Sequence, residues 1–97
     1  MIPAQFRPEA AADLDEAVDW YESQRLGLGL EFLAEAQRLT ERIASSPLQF
    51  PILYRDARRA LLRRFPYAFF FRATDDSVLI IAVADLRREP SRWRRRL

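Results

Sequence analysis

An α+β fold in the order β-α-α-β-β-β, with a helical hairpin packed on a small, mainly antiparallel sheet, is what this 97-residue chain predicts. Three observations lead there. Phe65-Pro-Tyr-Ala-Phe-Phe-Phe-Arg and Val78-Leu-Ile-Ile-Ala-Val-Ala are runs of strand-forming residues on either side of a polar break at Asp75-Asp76, which is a hairpin signal. Two stretches upstream repeat apolar residues at helical spacing and are joined by a turn that holds both glycines. The joint apolar face of two such helices needs a sheet to cover it.

Residues 2–7 read as a first strand, with Pro3 at its start, where a missing donor is tolerated. Pro8 ends that strand and suits the first turn of a helix, and Glu9 and Asp13 suit that helix's positive end. Residues 10–24 form the first helix, with Leu14, Ala17, Val18 and Tyr21 as its stripe; Trp20 and Tyr21 are both expected to be core aromatics. Gly27 and Gly29 lack the rest of a phosphate-loop signature, so a helix–helix turn is expected there. Residues 30–44 form the second helix, with Phe32, Ala36, Leu39 and Ile43 on one side. So short a turn makes the two helices antiparallel.

Ser45-Ser46-Pro47 stops the second helix, and residues 47–57 read as a packed loop. Residues 58–64 read as a strand that Phe65-Pro66 breaks with a bulge or tight turn. In the hairpin, strict alternation puts Tyr67, Phe69 and Phe71 on one face and Phe70 and Arg72 on the other. On the return strand it groups Leu79, Ile81 and Val83 against Val78, Ile80, Ala82 and Ala84. Both faces of the hairpin are largely apolar, so it belongs inside the sheet. The whole of 1–97 reads as one domain with an Arg-rich tail at about 85–97, whose conformation the pattern leaves open.

The net charge of +2 conceals an uneven distribution. Residues 1–49 hold 4 Arg and 9 acidic side chains, and residues 50–97 hold 12 Arg and 5 acidic ones. Every basic residue is Arg, which suits bidentate pairing with carboxylates and phosphates. A basic half points to an acidic protein or polyanion partner. There is no Cys and no His, which excludes disulfides, Ser–His or Cys–His nucleophiles and the usual zinc sites. No cofactor or metal is expected. The N-terminus lacks a signal pattern and no apolar run is long enough to cross a bilayer, so a cytoplasmic chain without a membrane partner is expected.

Several short pieces carry a family likeness. They are Phe6-Arg-Pro-Glu-Ala with Asp13-Leu14, Tyr21-Glu-Ser-Gln with Gly27-Leu-Gly, Phe32-Leu33, Pro47, and Phe50-Pro51. Arg64-Phe-Pro-Tyr and Ala82-Val-Ala-Asp-Leu-Arg-Arg-Glu-Pro-Ser-Arg-Trp complete the set. In this order and spacing the chain resembles the toxins of the RelE/ParE superfamily of bacterial type II toxin–antitoxin pairs, most of all the ParE-type branch. The resemblance implies the element order derived above and a cognate antitoxin that neutralises the chain. ParE-type members are linked to inhibition of DNA gyrase, and RelE-type members cut messenger RNA in the ribosome. Many relatives carry a His after the last strand, where this chain has Asp85.

The residues discriminate between these activities by what they lack. Cleaving RNA requires a base for the 2′-hydroxyl and cations for the phosphate. Arg64, Arg87 and Arg88 meet the second need; for the first only Asp85 and Glu89 stand near, each among arginines that lower its basicity. A toxin that grips another protein needs only surface. The expected target surface is Arg87, Arg88, Arg92, Trp93, Arg94 and Arg95; Trp93 serves equally well as an interface anchor or as cover for the core. The expected antitoxin contacts are Arg58, Arg59, Arg63 and Arg64, beside a hydrophobic groove left by the hairpin's two apolar faces. Inhibition of gyrase through protein contact is the first reading, and the ribosome-dependent mRNA endoribonuclease is the alternative. A nucleic-acid-binding module without catalysis is a weaker third.

Overall fold

The computed structural model describes residues 2–88 and 90–97. Pro8 opens α1 (Pro8–Gln24) directly after β1 (Ala4–Phe6), where the helix has no use for the missing N–H. At the far end of α1, Gly27 takes φ +89, a left-handed conformation that glycine reaches without strain. The chain turns there into α2 (Leu28–Ser45). The Glu22 carboxylate accepts the backbone N–H groups of Gly27 at 2.8 Å and Gly29 at 2.9 Å, so the last turn of α1 caps the first turn of α2. A Cβ on Gly29 would stand 2.6 Å from the Val18 carbonyl oxygen. The two helices approach that closely only because the position is bare.

After α2 a single 3₁₀ turn, Pro47–Gln49, leads into β2 (Ile52–Tyr54) and β3 (Ala57–Leu61). The packed loop expected over 47–57 therefore contains a further, three-residue edge strand. Arg55, with φ 55, makes the tight reversal between the two strands. β4 (Tyr67–Ala73) and β5 (Val78–Asp85) are the predicted hairpin. The sheet runs β1-β5-β4-β3-β2, with β1 parallel to β5 and all other pairs antiparallel. The hairpin thus occupies the interior of the sheet.

One face of the sheet receives the helices. Phe32, Leu39 and Ile43 of α2 are fully buried there against Tyr67, Phe69, Phe71, Val78 and Ile80. Tyr21 stacks on Phe32 with ring centroids 5.2 Å apart, and Phe65 meets both rings edge-on. β4 alternates as predicted, but β5 does not. The register shifts between Phe70 and Phe71, which pair with Ala82 and Ile80 and leave Ile81 as an extra residue. This bulge swaps the faces beyond it, so Val83 joins Val78 and Ile80 on the helix side. Strict alternation had separated them.

The opposite face is covered by the chain's own tail. Ala68, Phe70 and Ala82 pack with Trp93 of the short helix α3 (Ser91–Arg94), and Leu97 closes the cluster. The Trp93 ring lies flat on Phe70, with centroids 3.8 Å apart. The open hydrophobic groove expected on this face is thus filled by residues 91–97. The expectation for Trp20 is also corrected: it is 46% exposed, edge-on to Tyr21, because it sits one position off the stripe that faces the sheet.

Candidate functional site

Where β5 passes the end of β1, its outer edge has no strand beside it. Two charged side chains tend that edge. Asp13 of α1 accepts the Val83 N–H at 3.0 Å, and Arg96 donates to the Ile81 carbonyl at 3.3 Å. Arg96 and Asp13 also form a bidentate pair, 2.5 and 3.0 Å, with side chains about three-quarters or more buried. Asp13 raises the pKa of the Arg96 guanidinium through that hydrogen bond. Arg7 donates to the Arg96 carbonyl at 3.1 Å, and Arg72 donates to a Leu97 oxygen at 2.9 Å. The tail is therefore held to the sheet by stacking at Trp93 and by arginines around it.

Between α1, the upper edge of β5 and this tail lies a cleft of about 360 Å³. Asp13, Glu16 and Trp20 line its helix side, Val83 and Asp85 its floor, and Arg87, Arg88, Arg92 and Arg96 its rim. Asp85 ends β5 with its side chain 10% exposed. Burial works against its ionisation, but Arg87 outweighs this by donating Nε and NH2 at 3.0 Å each and its backbone N–H at 2.9 Å. The Asp85 carboxyl is consequently held below the ordinary carboxylate range. Arg88 approaches the same carboxylate less closely, at 3.8 Å. The Arg87 guanidinium also lies 5.7 Å from the centre of the Trp20 ring. Tyr67 lies deeper, and burial, then the Asp85 charge, pushes its hydroxyl pKa up.

The sequence-predicted residues divide accordingly. Arg87, Arg88, Arg92 and Trp93 come together around the cleft. Arg94 lies over the Tyr54 and Trp93 rings at 5.1 and 5.5 Å, and Arg95 is exposed on the tail. Glu89 lies outside the described residues. The four arginines expected to share one contact surface are dispersed. Arg58 pairs with Phe71 across β3–β4 on the helix side and donates to the Phe50 carbonyl at 2.6 Å. Arg59 pairs with Phe70 on the opposite side, and its Nε is buried with no partner among the described residues. Arg63 and Arg64 project from the turn before β4; Arg64 meets Glu31 at 2.6 Å.

That turn rests on a residue that sequence reasoning missed. Glu35 of α2 is 7% exposed and accepts the backbone N–H groups of both Arg63 and Arg64. The signal was present: Glu35 falls three residues after Phe32 and four before Leu39, on the apolar stripe itself. Asp13 carries the same signal, three after Ala10 and four before Ala17. A carboxylate on a buried stripe requires donors, and in both cases these include backbone amides freed where the sheet ladder is interrupted, joined at Asp13 by the Arg96 guanidinium.

Among the described residues, no group of three or more His, Cys, Asp or Glu side chains is placed to hold a metal ion, and no helix is long and apolar enough to cross a membrane. No curated protein matches the chain in sequence. A solved structure described as the chromosomal ParDE TA system from P. aeruginosa is 22% identical and superposes with a TM-score of 0.76, covering 89% of this chain and 97% of that one. At that identity the likeness is one of fold. The family model for the ParE toxin of type II toxin-antitoxin system, parDE, matches residues 4–90. A match over nearly the whole chain places it in a family, and the chain belongs to the ParE toxins of type II toxin–antitoxin systems.

Proposed function

We propose that this toxin inhibits DNA gyrase by protein contact, through the cleft and its arginine rim, and that a cognate antitoxin neutralises it in the cytoplasm of a bacterial cell. The observation that carries the reading is the state of Asp85. It lies beside Arg87 and Arg88 in the cleft, and three hydrogen bonds from Arg87 hold it ionised and poorly basic. With no His in the chain, and with Asp13 and Asp85 both engaged by arginines, Glu16 on α1 is the other carboxylate lining the cleft among the described residues. Arg87, Arg88 and Arg92 supply the target contact with Arg94 and Arg95 beside them, and Trp93 supports the surface from beneath.

The antitoxin reading follows from charge and position. Arg63 and Arg64 stand on an exposed turn that Glu35 holds in place, and they suit acidic side chains on the antitoxin. Arg58 and Arg59 lie on opposite faces of β3, so one acidic segment meets at most one of them together with that turn. Induced expression followed by DNA supercoiling and RNA integrity tests the function. Loss of supercoiling with intact transcripts is expected, reversed by the antitoxin. Rapid ribosome-dependent transcript cleavage with normal supercoiling contradicts it and supports the endoribonuclease.

A further inference from the structure

β1 covers only half of its neighbour. It pairs with β5 from Val78 to Ile80 and stops at Phe6. Beyond the bulge, the Val83 N–H turns outward to Asp13, and Tyr67, opposite Asp85, donates to the Phe65 carbonyl and accepts the Leu62 N–H instead of pairing with β5, so the backbone groups of Val83 and Asp85 face the empty edge. Two of those four groups are taken. Asp13 holds the Val83 N–H at 3.0 Å, and the Arg88 N–H donates to the Asp85 carbonyl at 3.1 Å. No turn, loop or side-chain hydrogen bond among the described residues takes the Val83 carbonyl or the Asp85 N–H. Both border the cleft.

The remaining pair selects a direction. A residue of an antiparallel strand exchanges both bonds with a single residue opposite it. The Val83 N–H is taken outright and the Asp85 carbonyl already accepts from Arg88, so the antiparallel arrangement is the poorer of the two. A residue of a parallel strand donates to one carbonyl and accepts the N–H two residues on. The Val83 carbonyl and the Asp85 N–H form that pair, centred on Ala84. A segment seated there runs parallel to β5, as β1 does farther down the same edge. The rim chemistry selects the side chains. Arg96 is committed to Asp13 and Arg87 to Asp85, while Arg88 is exposed and at 3.8 Å from Asp85, and Arg92 is exposed with no ion pair among the described residues.

We propose that the upper edge of β5 is a docking seat for an extended, acidic segment of a partner polypeptide. The segment adds parallel to β5 opposite Ala84 and sets a carboxylate between Arg88 and Arg92. A nucleic-acid backbone carries no alternating N–H and C=O groups to satisfy this pair, which is why the occupant is a polypeptide. The inference deepens the reading of the cleft as a protein-contact surface and rests on it, but it names no target. A chain that leaves gyrase untouched and still binds the probe below would refute only the target.

The probe is the pentapeptide acetyl-Val-Glu-Val-Glu-Val-amide, with two controls: the same peptide with Lys for Glu, and one with its central amide N-methylated. Full-length toxin labelled with ¹⁵N is titrated with each. The expected result is a shift and slowed hydrogen exchange at the Asp85 amide, with weaker shifts along the cleft. The Lys peptide should bind several-fold more weakly, and the N-methylated peptide should fail to protect Asp85. Replacing Arg88 and Arg92 together by Ser should weaken the Glu peptide by roughly fivefold, the scale of an exposed ion pair. Since the N-methyl control alters only the probe, the strand-pairing claim holds or fails whether or not the variant folds. No perturbation at millimolar peptide, shifts confined to another surface, or equal binding of either control overturns the proposal. So does displacement of the peptide by an oligothymidine, which would make the edge a polyanion site.

Discussion

Two acidic residues, Glu35 and Asp13, bind the fold's irregular backbone to its helices. Glu35 accepts the N–H groups of Arg63 and Arg64 where the chain leaves β3 before Phe65-Pro66. Replacing Glu35 with Ala leaves two donors without their acceptor. It should cost about 3–6 kcal/mol, the sum expected for two hydrogen bonds to a charged group, measured by urea denaturation. Glu35→Gln keeps one acceptor oxygen and should cost less. Asp85 provides a test by pH. Its pKa is lowered in the folded protein because Arg87's hydrogen bonds outweigh burial. Its contribution is therefore present above the unfolded value of about 3.9 and lost as pH falls through the lower folded value. Stability of the parent should fall more steeply below about pH 4 than that of Asp85→Asn, which lacks the titration, in matched thermal melts.

At the scale of elements, the close approach of α1 to α2 and the docking of the tail are the two joints that position the cleft. Gly29→Ala forces a Cβ toward the Val18 carbonyl, 2.6 Å away, and backbone cannot swing aside as a side chain can. The helices must separate locally, at a cost of about 1–3 kcal/mol. Trp93→Ala removes the ring stacked on Phe70 and uncovers the second sheet face. A loss of about 3 kcal/mol is expected, with new binding of a hydrophobic dye. The order of elements was legible because periodicity and turn residues announce it. The bulge at Ile81 was not, since the run Val78-Leu-Ile-Ile-Ala-Val-Ala is apolar at every position and carries no alternation to break. β2 escaped for a related reason: three residues, two of them exposed, give no periodic signal.

At the scale of the molecule, an acidic helical layer and an Arg-rich sheet and tail meet along one edge. The sequence's uneven charge thus becomes a cleft with arginines on its rim and carboxylates on its helix side. That arginines follow the last strand was readable from Arg87-Arg88 and Arg92-Trp93, but how they sort was not. Partner choice depends on which carboxylate lies within reach, and Asp13 and Arg96 are 83 residues apart in sequence. Trp93 proved to be core on one face, because pattern alone does not orient the tail, while Trp20, one position off the helical stripe, proved to line the cleft. Family membership gives the toxin; the target is the proposal. It is tested most directly with purified components: the toxin is titrated against gyrase in a supercoiling assay, with programmed ribosomes as the parallel substrate. Supercoiling is expected to fall with toxin concentration while the messenger stays intact. Cleaved messenger beside fully active gyrase would contradict it.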